Sequence, residues 1–181
     1  MTDSIQIDDQ KVLELEVLPG VFSQYGIDLG SKILLDVVEI PKNADVLDLG
    51  CGCGVIGLTI ASRDPDTNVL LVDSDIRAVR LSRTNAKNND LRNVMVELGD
   101  VTKDIPVNKK FDVVISNPPT HQGKEVVKEF IEGAFEVLKK GGCVYFVVNR
   151  MESVLKRLNE VFGNSEKVVR RQGYIVFKAV K

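Results

Sequence analysis

The chain has 181 residues, of which 44% are hydrophobic and 28% are charged, and its formal net charge is −2. These values are ordinary for a globular domain, so they exclude a disordered or fibrous chain, and the length predicts one domain over residues 1–181. No apolar run approaches the ~18 residues of a membrane span, and the polar, acidic start of the chain is unlike a signal sequence. We therefore expect a cytoplasmic protein with no membrane partner.

Charge is distributed unevenly along the chain. Residues 139–181 hold ten Lys or Arg residues against three Glu residues, a local balance of +7. Such a surface can face phosphates or stay solvated, and the sequence alone favours neither. The slightly negative net charge of the whole chain argues against a protein that binds nucleic acid over its entire surface.

The three cysteines, Cys51, Cys53 and Cys143, are an odd number without a paired framework. A zinc site needs four well-spaced ligands, and the only histidine, His121, is distant in sequence from Cys51 and Cys53. We therefore expect free thiols and no metal.

Periodicity predicts an alternating chain of strands and helices. Short alternating runs at Ile5–Ile7 and Val12–Val17 predict a small N-terminal β hairpin, so residues 1–18 form a β extension and residues 19–181 the core. Apolar runs then predict five buried strands, at Asp45–Leu49, Val69–Val72, Val94–Leu98, Phe111–Ser116 and Val144–Val148. Helical patterns lie at Val55–Ser62, Ile76–Asn88 and Lys124–Lys139, the last ending before Gly141-Gly142.

The C-terminal part continues this pattern and completes the fold class. A helix near Glu152–Val161 precedes the runs Lys167–Arg171 and Tyr174–Val180, which predict an antiparallel hairpin. The whole order predicts an α/β, Rossmann-like fold with a mainly parallel seven-stranded sheet. Ligands of such folds lie beyond the carboxyl ends of the strands.

A glycine-rich loop follows the first buried strand. Gly50, Gly52, Gly54 and Gly57 fall within eight residues, and the loop opens a helix whose first N–H groups are unpaired. Residues 52–57 also match G-x-G-x-x-G, with Asp73 located 21 residues after Gly52, so a nicotinamide-binding domain is an alternative. Asp73 ends the second strand and can accept hydrogen bonds from a ribose, whereas Asp75 is the better helix cap.

Two later strand ends favour a methyl donor over a nicotinamide. Asp100 follows the third strand, where its carboxylate can accept a hydrogen bond from an adenine amino group. The fourth strand ends in Ser116-Asn117-Pro118-Pro119. Consecutive prolines fix the backbone and remove two N–H donors, which leaves an acceptor-rich corner. Acceptors at Asn117 and Pro118 would orient a planar amine for in-line methyl transfer.

These motifs together resemble a known family. The ordered set is DLGCGCGVIG, VDSD, GD and SNPP, preceded by VFSQYGIDLGS at Val21–Ser31. It is similar to the RsmC-like ribosomal RNA guanine 2-amino methyltransferases of class I, including short archaeal members, and the resemblance covers Pro19–Val148.

The resemblance implies a set of site residues for S-adenosylmethionine (SAM). The cofactor would contact Asp48, Gly50, Cys51, Gly52 and Gly54 in the loop, Asp73 at its ribose, Asp100 at its adenine, and Asn117. The catalytic corner would be Asn117, Pro118 and Pro119, and the segment Phe22–Gly30 would fold over the cofactor.

One position departs from the family pattern. Related enzymes often carry Tyr or Phe after Asn-Pro-Pro to stack on the target base, and here Thr120 occupies that position. Stacking a base on an aromatic ring contributes ~1–3 kcal/mol, so another group would have to replace it. Phe22, Tyr25 and His121 are the candidates for this contact, beside Thr120 itself.

The resulting prediction is an enzyme that methylates the exocyclic amine of a base in RNA, most specifically a guanine 2-amino group in ribosomal RNA. The same corner would suit a transfer RNA base, a DNA adenine or a protein glutamine. A non-catalytic SAM-binding partner subunit and a nicotinamide oxidoreductase are further alternatives.

Overall fold

A computed structural model describes residues 2–6, 12–18, 20–21, 27–101, 103–119, 123–149 and 152–181, without the side chains of 152 and 153. The strands are β1 (Thr2–Gln6), β2 (Val12–Glu16), β3 (Asp45–Leu49), β4 (Asn68–Asp73), β5 (Val94–Leu98), β6 (Phe111–Ser116), β7 (Leu138–Val148), β8 (Glu166–Arg171) and β9 (Tyr174–Val180). The helices are α1 (Leu29–Val37), α2 (Val55–Arg63), α3 (Ile76–Asn88), α4 (Lys124–Val137) and α5 (Glu152–Phe162).

Seven of these strands form one sheet in the order β5-β4-β3-β6-β7-β9-β8. The first five strands in this order are parallel to one another, and β9 is antiparallel to both β7 and β8. The chain therefore starts in the middle of the sheet, runs to one edge, and returns to build the other side. This topology confirms the predicted α/β fold with its C-terminal hairpin.

The sheet is buried on both faces, which explains why its central strands read as continuous apolar runs. One apolar cluster joins α1, α2 and α3 to the sheet and contains Leu34, Leu58 and Val79. The other joins α4 and α5 to the opposite face and contains Ile131 and Leu158. With helices on both faces, the carboxyl ends of the parallel strands form an open edge where a ligand can bind.

The predicted N-terminal hairpin is present and is attached to α3. Leu13 and Leu15 of β2 are fully buried. Asn85 Nδ2 donates to the Glu16 carbonyl at 3.0 Å, and its Oδ1 accepts from the Glu16 N–H at 2.7 Å. Asn89 makes the equivalent pair with the backbone of Glu14. The two asparagine amides thus satisfy backbone groups on the free edge of β2.

The main differences from the prediction are an additional helix and the region where α4 ends and β7 begins, at Leu138 instead of Val144. Helix α1 was not predicted, although Asp28 caps it through the N–H groups of Gly30 and Ser31. Helix α4 ends at Val137 instead of Lys139, and Gly141-Gly142 lies within β7. The Lys181 ammonium donates to the carbonyls of Phe135 and Leu138 at 2.6 and 3.0 Å. A cation placed there stabilises the C-terminal end of the helix. Lys181 is 43 and 46 residues away in sequence from Leu138 and Phe135.

Within the described residues, no helix combines the length and the apolar character needed to cross a membrane. Residues 7–11, which join the two strands of the N-terminal hairpin, lie outside the described part of the chain. The division of the chain at residue 18 remains a prediction.

Candidate active site

The glycine-rich loop follows β3 and is hydrogen-bonded to the end of β4 before α2 begins. The Gly50 and Cys51 N–H groups both donate to the Val72 carbonyl, at 2.8 and 3.1 Å. Gly50 has a φ of +76°, and a Cβ there would lie 2.9 Å from Phe130 Cε1. Only glycine fits this position without strain, because the backbone is left-handed and the Phe130 ring is already in contact.

Asp73, at the end of β4, is tied to this loop. Its carboxylate accepts from the Gly52 N–H at 2.8 Å and from the Asp75 N–H at 2.9 Å. Asp75 in turn accepts from the Arg77 N–H and caps α3, as the sequence predicted. A carboxylate has about four lone-pair sites, so Asp73 retains capacity for a ribose hydroxyl.

Asp48 lies behind the loop instead of facing the cleft. It is 1% exposed, and its carboxylate accepts from the Gly57 N–H of α2 at 2.8 Å. Burial raises the pKa of Asp48 from 3.8 to about 7; the Gly57 hydrogen bond opposes this increase and the nearby Asp73 charge adds to it. Asp48 therefore joins β3 to α2 and carries a proton over much of the acidic range.

A cavity of about 560 Å³ opens above the carboxyl ends of β3, β4, β5 and β6. This volume is within the range typical of small-molecule and cofactor sites. The wall includes the predicted residues Gly50, Gly52, Asp73, Asp100, Asn117 and Pro119, together with Val21, Glu129 and Phe130. Asp48, Cys51 and Gly54 are absent from the described wall. Their assignment to the cofactor remains a prediction.

Asp100 sits at the exposed end of this cavity. Its carboxylate lies 2.6 Å from Lys103 Nζ, and both side chains are more than half exposed. The Asp100 N–H donates to Asp104 at 3.0 Å, which fixes the turn after β5. An adenine amine competing for this carboxylate would meet an exposed ion pair, which is a weak interaction. The adenine contact stays a prediction.

The side chain of Asn117 is held from the α1 side. Its Nδ2 lies 3.2 Å from each carboxylate oxygen of Asp28 and 3.2 Å from Ser31 Oγ. All three are acceptors for this NH₂ group, so the amide is oriented with its Oδ1 directed away from Asp28. Ser116 Oγ donates to the Leu49 carbonyl at 2.7 Å and ties the base of the corner to β3. Asn117 therefore presents an acceptor next to the cavity.

Sequence reasoning did not assign roles to Asp28, Ser31 or Phe130. A signal for Asp28 existed, because Asp followed by an apolar helical pattern is typical of a helix N-cap. Its contact with Asn117 spans 89 residues and has no local signature. Phe22, Tyr25, Thr120 and His121 lie outside the described residues, and their base contacts remain predictions.

The three cysteines are free thiols. Burial raises the pKa of Cys53 to about 11 and raises the pKa of Cys51 well above its ordinary value. Both thiols are therefore protonated near neutral pH. Over the ranges that the structure describes, no group of three or more His, Cys, Asp or Glu residues is arranged to hold a metal ion.

Comparisons with known proteins identify the family of this chain. The methyltransferase small domain family matches residues 12–178. The protein YbxB of Bacillus subtilis is 36% identical over 166 residues, which are 90% of this chain and 83% of YbxB. Ribosomal RNA small subunit methyltransferase C of Klebsiella pneumoniae is 35% identical over 175 residues, which are 93% of this chain and 49% of that protein.

A solved structure shares the whole fold. It is the 16S rRNA N2 methyltransferase RsmC of Thermus thermophilus in complex with SAM and guanosine, with a TM-score of 0.90 at 28% identity. The alignment covers 100% of this chain and 50% of that chain, so this chain spans about half the length of its RsmC relatives. The relatives named here are bacterial and do not support the expected archaeal type. The chain belongs to the methyltransferase small domain family of SAM-dependent methyltransferases.

Proposed function

We propose that this protein transfers the methyl group of SAM to an exocyclic amine of a base in RNA, most specifically to a guanine 2-amino group of ribosomal RNA. The observation that carries the proposal is the orientation of Asn117. Its NH₂ group is engaged by Asp28 and Ser31, so its carbonyl oxygen is the group available to an incoming amine.

The fit of SAM to this site rests on three features of the chain. The cavity has space for a nucleoside with an amino acid side arm, and Gly50 leaves room for the Phe130 ring against the loop at the wall of that cavity. Asp73 has acceptor capacity at the end of β4, where a ribose would lie. When bound, SAM would supply the methyl group of its sulfonium; the sulfur keeps the S–C bonding electrons, and S-adenosylhomocysteine is the leaving group.

The chain's own residues would prepare the acceptor. An amine on a base is a weak nucleophile because its lone pair is delocalised into the ring. The Asn117 Oδ1 and the Pro118 carbonyl would accept from its two N–H groups, which favours a tetrahedral nitrogen with the lone pair facing the cavity. Holding nitrogen, carbon and sulfur in line supplies several kcal/mol by positioning. The surplus proton on the alkylated nitrogen can then pass to water.

RNA is supported by the named relatives. The Klebsiella protein is a ribosomal RNA methyltransferase, and the Thermus structure pairs an N2 methyltransferase with guanosine. On that basis we propose guanine in ribosomal RNA as the substrate of this chain. Such a substrate would place the reaction in the cytoplasm. Because those proteins are about twice as long, their other half could contribute to substrate choice.

The test is methyl transfer from labelled SAM to an unmodified small-subunit ribosomal RNA transcript and to assembled small subunits, followed by identification of the methylated nucleoside. We expect N2-methylguanosine. Asn117→Ala should lose at least about 100-fold in kcat, the scale of losing an oriented polar group at the reacting atom. Its SAM Kd should stay within about threefold of the wild-type value.

Two outcomes would contradict the proposal. Label in another nucleoside, in DNA or in a protein glutamine would move the activity to one of the alternative amines. Unchanged turnover in Asn117→Ala would remove Asn117 from the reaction.

A further inference from the structure

The β8–β9 hairpin reaches the same edge of the sheet as Asn117. Ser116 of β6 pairs with Phe146 of β7, and Phe146 pairs with Phe177 of β9, so these three residues lie side by side at the same position along their strands. Tyr174 lies three residues beyond Phe177 toward the carboxyl edge, about 10 Å further along, and β9 is two strand spacings, about 10 Å, from β6. The hairpin tip therefore rises beside the acceptor corner.

This tip stands on the opposite side of Asn117 from the cofactor cavity. The described cavity wall comes from the ends of β3 and β4, the segments that follow β3, β4, β5 and β6, the first halves of α3 and α4, and residues 20–21, and it contains no residue of β8 or β9. A base whose amine meets Asn117 must enter from outside that cavity. The remainder of its strand can then extend over β7, β9 and β8.

The tip is joined to the acceptor corner by direct packing. A Cβ on Gly30 would lie 2.8 Å from Tyr174 Cε1, so the Tyr174 ring packs closely against the backbone at the start of α1. Asp28, two residues earlier, holds Asn117. Arg171 pairs with Tyr174 across the hairpin and donates to Asp36 of α1 at 2.8 Å. Helix α1 thus connects hairpin and corner.

The surface at this place is basic, although the chain as a whole is acidic. Lys32, Arg170 and Arg171 are exposed, in a chain whose net charge is −2. Arg171 lies toward α1 and pairs with Asp36, whereas Arg170, its neighbour on the edge strand β8, points to the opposite face, so cations lie on both faces of the hairpin tip. Other cations of residues 139–181 are engaged by acids. Lys139 pairs with Asp45 and Asp112, and Arg157 pairs with Glu132 and Glu160.

We propose that Lys32, Arg170, Arg171 and Tyr174, here named the hairpin-tip surface, bind the RNA strand that flanks the target base. This proposal rests on the proposed function, since it assigns the docking surface for that substrate. Exposed Arg and Lys side chains bind phosphates without reading sequence, so they would hold the strand while Asn117 engages the base. Neither Arg170 nor Lys32 makes an ion pair with any described residue, so both cations are available for this contact.

The test compares two double variants of the full chain. Arg170→Gln/Arg171→Gln removes two charges from the hairpin-tip surface. Lys87→Gln/Arg92→Gln removes two exposed charges at the other edge of the sheet, where α3 ends and β5 begins. The probe is an unmodified small-subunit ribosomal RNA transcript, with its Kd measured over a range of salt concentrations and the SAM Kd measured separately.

The hairpin variant should bind this transcript about tenfold more weakly at low salt. The slope of the logarithm of its binding constant against the logarithm of the salt concentration should fall in magnitude by about 1.4. Each phosphate contact on a single strand contributes about 0.7 to this slope, and the variant removes two. The SAM Kd and the melting temperature should stay near the wild-type values, because the Arg171–Asp36 pair is exposed and contributes little to stability. The control variant should bind the transcript like the wild type.

Several results would overturn the inference: no binding of the transcript by the wild type, wild-type affinity in the hairpin variant, or an equal loss in the control. Its failure is distinguishable from that of the proposed function. Methylation of the transcript combined with unaffected binding by the hairpin variant refutes only the docking surface. Binding that depends on the hairpin without any methylation refutes only the proposed reaction.

Discussion

At the scale of single residues, the proposed chemistry depends on which end of the Asn117 amide faces the substrate. An asparagine that flips would present a donor to an amine that is itself a donor. The three acceptors around Nδ2, two on Asp28 and one on Ser31, make that flip costly. In the proposed reaction, Asp28 would thus be a positioning residue that acts through Asn117.

Asp28→Asn tests this role because it keeps one oxygen for capping α1 and replaces the other with a donor. We expect kcat to fall by roughly thirtyfold, corresponding to about 2 kcal/mol for a hydrogen bond to a charged group. The melting temperature and the SAM Kd should change little. Ser31→Ala, which leaves both carboxylate oxygens, should show a smaller loss of kcat. Wild-type kcat in Asp28→Asn would show that the amide needs no such support.

At the scale of elements, the unit from β3 through the loop to α2 holds a buried acid at its centre. The folded-state pKa of Asp48 is about 7, above its ordinary value of 3.8. The contribution of this group to stability is therefore complete below pH 3.8 and is lost as the pH rises through 7. Over the full interval the loss is about 4 kcal/mol, at roughly 1.4 kcal/mol per pH unit.

Asp48→Asn should remove this pH dependence, since the amide oxygen can still accept from Gly57 and no proton is lost. Urea unfolding at pH 4 and pH 8 measures the effect. The wild type should lose more stability than the variant between the two values, and the variant should be the more stable protein at pH 8. An equal change in both proteins would mean that Asp48 is already ionised at pH 4.

The elements also show where local sequence is sufficient. The buried strands β3 and β6 were predicted with the observed bounds, because a run of apolar residues leaves few other conformations that bury it. The end of α4 was wrong by two residues because Lys181 and the pairing of β7 with β6 determine it, and both act over long separations. Helix α1 was missed, although Asp28 gave the local signal of a cap.

At the scale of the whole molecule, the proposed function depends on one edge of the sheet. The sequence identified Gly50, Asp73 and Asn117 separately as residues that follow strands, and the parallel sheet brings them to one cavity. The Asp28–Asn117 contact and the position of the β8–β9 hairpin beside Asn117 could not be predicted, because both depend on strand order and register. Local patterns were therefore sufficient to identify residues of the cavity wall, but not the long-range contacts that hold Asn117.

The central claim is that the cavity bounded by Gly50 receives SAM, and calorimetry of SAM binding tests it most directly. Two glycines with similar left-handed backbones form a matched pair: Gly50, where a Cβ would meet Phe130, and Gly163, where a Cβ would meet open space. We predict one SAM bound per wild-type chain, unchanged binding in Gly163→Ala, and binding at least tenfold weaker in Gly50→Ala. The absence of binding heat from the folded wild type, or equal SAM affinity in both variants, would contradict the account.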